Sequence, residues 1–452
     1  MNMIDIGMSG ILAANRSLHA TSGNVANIAT PGYSRRGVLL SGNAHGGVDA
    51  SAAMRINEGY RTQQMWQAAN ASGRARAAQS HLDQLEGMVG GNPAIGDIQH
   101  RDLGLGAFFG ALRGATGEPG DPVLRNAVLD TASGMTRQFN GMRAAFEDQL
   151  RSIERQRDVT VDQVNGLATQ IADLNGRIAV GLASGGDVAA LMDRRDVAVD
   201  QMAGLAGVRV VQQRDGTVDV SMAFGQPLVV GKQAGRIDIR RDGHGRQALV
   251  ISFGQQKMPL RSTHVGGALR GLAEVENDVL RPQLDALRTL AVETAKRVNA
   301  QLAQGYDMHG NPGKPLLAFD EASGRLGVVP DMQPEALAFS ADPDHPGDNR
   351  NLLALSGLGS TRIEMPGHGT VSIENAFASI VGKVGSASQQ NKLVAETAQA
   401  VRTQAENDWL SLSGVDNDEE AMNLVRFKDM YNANLKVIAV ANALFETTLN
   451  AI

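Results

Sequence analysis

The placement of proline constrains this chain more than any other feature. None of its 14 prolines falls between Pro122 and Pro227, and none follows Pro366. Because a helix interior excludes proline, both stretches are free to form long helices. Six prolines crowd instead between residues 312 and 346, which predicts turns, extended segments and loop.

The first proline-free stretch has the pattern of one long helix. Asp121 followed by Pro122 is typical of an N-cap and a first helical position. Between residues 139 and 178, apolar side chains recur every three or four positions, with Arg157 the single charge among them. We therefore predict a helix that begins at Pro122, and a second one over residues 188–205.

At Val208 the helical period gives way to strict alternation. Asp-Gly pairs at 215–216 and 242–243 each separate two alternating apolar runs, which favours hairpins. Residues 208–260 are thus predicted to form a small antiparallel β unit inserted into a helical protein. Helical spacing resumes over 265–302 and again from Ile373 onward.

Together these patterns predict a mainly α, multidomain α+β protein with a long helical rod, coiled-coil-like paired terminal helices and an inserted small antiparallel β domain. The predicted divisions are a terminal-helix domain (1–57 with 411–452), a helical rod (58–205, 265–304 and 367–410), a small β-rich domain (206–264) and a short segment rich in Pro and Gly (305–366).

The N-terminal segment carries only two charges in 34 residues, Asp5 and Arg16. Its apolar stripe has the spacing of a helix that packs on another helix. Thr30-Pro31-Gly32 is expected to end that helix. The stripe consists of Ile4, Met8, Ile11, Asn15, Leu18, Ser22, Val25 and Ala29.

The C-terminal segment has a matching stripe. Asp416 and Glu419 have capping-box spacing at its start. The stripe itself is Leu424, Phe427, Tyr431, Leu435, Ile438, Asn442, Phe445, Leu449 and Ile452. Both terminal helices could pack in the chain's own core or on each other, or they could assemble with other copies. The two interpretations are compatible if the helices pair and the pair then polymerises.

The segment Asn24-Val25-Ala26-Asn27-Ile28-Ala29-Thr30-Pro31-Gly32-Tyr33-Ser34-Arg35 resembles the N-terminal signature of the flagellar axial proteins, the rod, hook and hook-associated proteins. Ser413-Gly414-Val415-Asp416-Asn417-Asp418-Glu419-Glu420, with Tyr431, Ala433, Asn434 and Phe445 after it, is similar to the C-terminus of the hook-associated protein 1 family. Residues 191–196, 208–211 and 347–350 resemble the central region of that family. Rod and hook proteins share the first motif but not the second.

This resemblance implies an extracellular structural subunit of the bacterial flagellum at the hook–filament junction, needed for flagellum assembly and motility. The implied partners are other copies in a ring, the hook protein, the adjacent hook-associated protein on the filament side, a flagellar export chaperone and the type III export apparatus. The outer region implied is shorter than in longer members of the family, with one β domain rather than two.

The implied assembly residues lie at the two ends. On the N-terminal helix they are Ile4, Met8, Ile11, Asn15, Leu18, Asn24, Val25, Asn27, Thr30, Pro31, Gly32 and Tyr33. On the C-terminal helix, which the chaperone would also bind, they are Leu424, Phe427, Tyr431, Asn434, Leu435, Ile438, Asn442, Phe445, Leu449 and Ile452.

Composition argues against other functional classes. The net charge of −6 is opposite to that of a nucleic-acid-binding surface, and no apolar run reaches the roughly 18 residues of a membrane span. The start of the chain lacks the basic region of a secretory signal peptide, and the resemblance implies export without a cleaved signal. Cysteine is absent, and this count alone favours a cytosolic protein that never needed the residue over a chain exported unfolded.

Catalytic motifs are also missing from the sequence. The closest histidines are 19 residues apart, so no short zinc pair exists. Asp342, Asp344, His345 and Asp348 are interleaved with Pro and Gly, as in a solvated turn. A calcium loop starting at Asp416 would need glycine where Ala421 stands. We expect no enzyme activity, cofactor or metal. Alternatives are another rod or hook axial protein, or an adhesin that displays the β domain on a helical stalk.

Overall fold

The computed structural model of the chain describes residues 3–44, 46–90, 102–243 and 245–450. Its helices are α1 (Met3–Ala26), α2 (Gly59–Gly90), α3 (Leu105–Gly114), α4 (Pro122–Ala183), α5 (Ala189–Ala206), α6 (Gly267–Glu274), α7 (Arg281–Leu302), α8 (Arg350–Gly357), α9 (Ile373–Ser413) and α10 (Asn417–Asn450), with a π-helical turn at Val275–Leu280. Its strands are β1 (Arg36–Gly37), β2 (Leu40–Gly42), β3 (Val48–Ala50), β4 (Met54–Arg55), β5 (Val208–Gln212), β6 (Val218–Met222), β7 (Pro227–Val230), β8 (Gln233–Ala234), β9 (Arg236–Arg241), β10 (Gln247–Phe253), β11 (Gln256–Leu260), β12 (Leu317–Asp320), β13 (Arg325–Val328), β14 (Arg362–Met365) and β15 (Gly369–Ser372).

The mainly helical architecture with an inserted antiparallel β region is confirmed. Helix α4 begins at Pro122 and runs for 62 residues. An Asp121 carboxylate oxygen accepts the N–H of Val123 at 2.7 Å, which is the predicted cap. Helix α8 is the departure, because it lies within the Pro- and Gly-rich segment 305–366, for which no helix was predicted.

The chain divides into two compact units, and α2, α4, α6 and α9 contribute residues to both. Unit 1 comprises Met1–Arg74, Val159–Arg270 and Glu396–Ile452; unit 2 comprises Ala75–Asp158 and Gly271–Ala395. Each unit draws on several of the four predicted divisions, which remain a prediction.

Unit 1 contains the β region as two antiparallel sheets, ordered β5-β6-β7-β8 and β11-β10-β9. Side-chain amides of α4 attach to both sheets. Asn175 donates to the carbonyl of Val218 and accepts its N–H, at 2.7 and 3.1 Å. Asn165 makes the same pair of bonds with Ile237. These amides hydrogen-bond backbone groups that have no partner in the strand pairing. The core next to them consists mainly of Val, Ile, Leu and Met.

Unit 2 has the larger core and most of the phenylalanines, including Phe108, Phe146 and Phe339. Arg125 is 2% exposed and donates to the carbonyls of Pro119, Pro334 and Leu337, which fixes the proline-rich segment. Desolvation lowers the pKa of Arg125 to about 10.

The charge that interrupts the apolar stripe of α4 is paired in unit 2. Arg157 is 4% exposed and forms an ion pair with Glu276, which also binds Arg281. Burial raises the pKa of Glu276, but the two guanidinium groups outweigh it, so the pKa lies below its usual value. The buried charge of Arg157 is therefore neutralised by the carboxylate of Glu276.

Candidate assembly site

Both ends of the chain meet in unit 1, where α1 packs on α10. The two helices are antiparallel: Gly7 lies opposite Ile438, and Asn24 is bonded to Glu420. Glycine allows a close approach here. A Cβ on Gly7 would lie 2.7 Å from Ile438 Cγ1, and a Cβ on Gly10 would lie 2.2 Å from Asn434 Oδ1. The helix pair therefore depends on small residues.

The buried face of α1 is made of small and polar residues, namely Gly7, Gly10, Ala13, Ala14, Ser17, Ala20, Thr21 and Asn24. The predicted apolar stripe lies beside this face, mostly one position further along. Met8 is 48% exposed, and Asn15, Ser22 and Ala29 are exposed too. Ile4, Ile11, Leu18 and Val25 are half-buried. Most of the stripe thus keeps accessible surface, and its role in assembly stays a prediction.

The predicted positions on α10 divide into two groups. Leu424, Phe427, Tyr431, Asn434 and Ile438 are half-buried along the side of α10 that carries the contacts with α1. Leu435, Asn442, Phe445 and Leu449 are exposed, with Phe445 at 64% and Leu449 at 58%. Ile452 lies outside the described residues. Beyond Ala441, every described residue of α10 is exposed, so the distal part of this helix presents apolar side chains to solvent.

The signature after α1 forms a tight turn. Asn27 donates from its amide to the carbonyl of Gly23 at 2.9 Å and accepts the hydroxyl of Thr30 at 3.2 Å, which caps the helix end. Gly32 has φ +76°, and a Cβ there would lie 2.1 Å from Val197 Cγ2. Glycine is required at this position on both counts. Pro31 is exposed and Tyr33 is half-buried.

The turn leads into a polar network that we call the helix-end latch: Asn24, Tyr33, Arg35, Glu419 and Glu420. Asn24 donates to the carbonyl of Arg36 and to Glu420, at 2.9 and 3.0 Å, and its oxygen accepts the Tyr33 hydroxyl at 3.0 Å. The Arg35 guanidinium binds Glu420 through Nε at 2.9 Å and Glu419 through both terminal nitrogens, at 2.9 and 2.6 Å. The latch joins the end of α1 to the start of α10.

Electrostatics favour the charged form of Arg35 in the latch. Burial alone would lower its pKa, but the hydrogen bonds and charges of Glu419 and Glu420 outweigh it and raise the pKa above the usual value. Burial also raises the pKa of the Tyr33 hydroxyl, so that it remains a donor to Asn24. Asp416 caps α10 as predicted and accepts the N–H groups of Asp418 and Glu419.

A cavity of about 310 Å³ lies beneath the signature turn in unit 1. The turn residues Asn27–Tyr33 form one wall, and Trp409 and Leu410 of α9 contribute to the other. Arg402 pairs with Asp200 through two nitrogens, each at 2.7 Å, inside this cavity. Burial raises the pKa of Asp200, and Arg402 partly offsets that rise. The arrangement is a structural ion pair under an apolar surface.

The acidic cluster in the proline-rich segment is a closed turn. Asp342 accepts the N–H of Asp344 and bonds the His345 ring at 3.0 Å, while Asp348 accepts from Ala341 and Arg350. Within the described ranges, no group of three or more His, Cys, Asp or Glu side chains is placed to hold a metal ion. No described helix is long and apolar enough to cross a membrane.

Sequence reasoning missed several residues that build this site. Gly7 and Gly10 set the helix contact, and their three-residue spacing next to Ala14 was the available signal. Arg35 and Glu420 belong to the two end motifs, but neither motif predicts that they are partners. They are 385 residues apart, and only the structure shows that they bind each other.

Three comparisons with known proteins agree. Residues 101–317 match a family model described as "Flagellar hook-associated protein FlgK helical domain". The chain is 25% identical to "Flagellar hook-associated protein 1" of Escherichia coli strain K12, over 99% of each chain, and 23% identical to the protein of that name from Bacillus subtilis, over 99% of this chain and 97% of the other.

The solved structure of the flagellar hook junction protein FlgK from Burkholderia pseudomallei superposes with a TM-score of 0.67 at 20% identity, over 77% of this chain and all of the other. This match shows a shared fold. The alignment with the Escherichia coli protein spans 552 positions, so at least 100 of them have no counterpart among the 452 residues here. The resemblance to hook-associated protein 1 that the two end motifs indicated is confirmed.

Proposed function

We propose that this chain, as a relative of flagellar hook-associated protein 1, is a structural subunit of the bacterial flagellum that joins the hook to the filament. One observation carries the proposal: the similarity extends over 99% of both chains, and so includes the terminal helices, the helical region and the β region together. A protein that merely shared one domain with the family would match over part of its length.

The helix pair supports assembly through the two ends. It leaves two apolar surfaces accessible, the stripe of α1 and the distal part of α10. Large exposed apolar surfaces on soluble proteins mark interaction sites. We propose that neighbouring copies in a ring cover these surfaces, that the hook protein and the adjacent hook-associated protein contact the two sides of the ring, and that the chain has no enzymatic activity.

Export is the second part of the proposal. The chain would leave the cell through the flagellar type III apparatus and be located outside it, in the flagellum. An export chaperone would cover the exposed apolar residues of α10 beforehand, chiefly Leu435, Phe445 and Leu449. The physical reason is that the apolar side chains buried by neighbours in the assembled ring are exposed to water while the subunit is alone, and so need to be covered.

Deletion of the gene tests the junction role. We expect electron microscopy to show hooks without filaments, and filament protein to accumulate in the medium, because subunits arrive at a hook that cannot seat them. Complementation with the wild-type gene is the control and should restore filaments. Filaments of normal number and length on the deletion strain would contradict the proposal.

A further inference from the structure

Strand β5 has a free edge, apart from the two terminal helices on which the proposed assembly rests. It is the first strand of its sheet, paired only with β6. Gln213 donates to Thr217 at the hairpin end, and pairing alternates from there, so Arg209 and Val211 bond to β6. The N–H and C=O groups of Val208, Val210 and Gln212 therefore point outward, and no described residue pairs with them.

Two adjoining cavities follow this edge, of about 260 and 440 Å³. Both are lined by Gln63 and Trp66 of α2 and by Val210 of β5. We call them together the β5 edge groove. The five residues of β5 extend for about 16 Å, which sets the length of strand that the groove accepts. Many sheet edges are blocked by a covering element, but here the space beside the edge is open.

The groove has an aromatic side chain on its wall. Trp66 is half-buried, and its side chain lines both cavities. Gln63 and Gln67 add exposed amides on the same wall. The indole ring offers apolar surface to an incoming strand, and the two amides offer hydrogen-bond donors and acceptors.

The positive charge near the β5 edge favours an acidic strand as the occupant of the groove. Arg209 and Arg214 are exposed, and neither forms an ion pair with any residue that the structure describes. A second copy of β5 would bring the same two arginines, which disfavours self-pairing. An acidic strand would neutralise them.

We propose that the β5 edge groove binds an extended acidic segment of a partner protein by β-strand addition. The backbone of the segment pairs with Val208, Val210 and Gln212, apolar side chains on one of its faces contact Trp66, and carboxylates on the other face meet Arg209. Main-chain pairing supplies affinity and the alternate side chains supply specificity. The β region is thereby a peptide-recognition module.

A nine-residue peptide that alternates valine and glutamate is the probe, titrated into the full chain carrying Trp409→Phe so that fluorescence reports Trp66. We expect saturable binding and slowed amide exchange at Val210 and Gln212. Peptides N-methylated at the valines or at the glutamates are the matched pair. One of the two should bind about tenfold more weakly, because only one set of N–H groups faces β5.

Two variants of the chain separate the parts of the mechanism. Arg209→Glu should reverse the preference, so that a valine–lysine peptide binds better than the valine–glutamate one. Trp66→Phe should weaken binding about fivefold, because the smaller ring buries less apolar surface against the peptide. Its readout is amide exchange at 208–212, since the chain then has no tryptophan. Equal effects of the two methylation patterns, binding without protection at 208–212, or absence of binding would each overturn the proposal. So would protection that rises with protein concentration alone, which would indicate a second copy on the edge.

Discussion

Removing Glu420 should loosen the terminal helix pair, whereas removing its neighbour Glu419 should hardly affect it. Both carboxylates bind Arg35 at similar distances, but the Glu420 side chain is 1% exposed and the Glu419 side chain is 49% exposed. Glu420 also accepts from Asn24. The two alanine variants therefore differ in burial more than in geometry, and they form a matched pair.

The magnitudes follow from that difference. Glu420→Ala removes two hydrogen bonds to a buried charge, each worth about 1.5–3 kcal/mol. Two effects reduce the loss: Arg35 keeps its bonds to Glu419, and the second oxygen of Glu420 is buried without a partner among the described residues. We expect a net cost of about 2 kcal/mol. Glu419→Ala removes an exposed pair and should cost about 0.5 kcal/mol.

Native-state amide exchange of α1 and α10 is the assay, because it reads the local opening free energy rather than that of the whole chain. A cost of about 2 kcal/mol corresponds to exchange about 30-fold faster in the Glu420 variant, against about twofold in the Glu419 variant. Glu420→Gln, which keeps an acceptor oxygen, should fall between them. Equal rates in the two alanine variants, or a larger effect from Glu419, would refute this account of the latch.

Three further predictions concern other contacts. Gly10→Ala should destabilise the α1–α10 pair, since its Cβ meets the Asn434 side chain, and Asn434→Ala in the same chain should restore amide protection. The stability of unit 2, followed by thermal unfolding, should be fully present above pH 4.5 and fall as the pH drops through the lowered pKa of Glu276; Glu276→Gln should cost about 3 kcal/mol and remove that pH dependence. Serine at Leu435, Phe445 and Leu449 should reduce the number of filaments in the deletion strain without changing the fold. Val180→Ser, at an exposed apolar residue of α4, should not reduce it.

Much of the fold could be predicted because its signals are local. Asp121-Pro122 marked the start of α4, and the Asp-Gly pairs marked the hairpins of the β region. Helix α8 was not predicted, because it directly follows the turn-forming residues 341–349. Its eight residues are stabilised by tertiary contacts, such as those of Leu352 and Leu355 with the core of unit 2, and not by local propensity.

The assembly site was only partly predictable. The apolar periodicity predicted both terminal helices. It marks positions with large apolar side chains as the packing face, but α1 and α10 actually approach each other at their smallest residues. The buried face of α1 therefore lies at Gly7 and Gly10, next to Met8 and Ile11. The Arg35–Glu420 bond could not be predicted, since nothing in the sequence fixes which residues of the two ends face each other.

Immunogold electron microscopy of intact flagella, with antibodies against this chain, tests the proposed junction role. We expect label confined to a single band where the hook meets the filament. Label spread along the filament, along the length of the hook or over the cell body would contradict it.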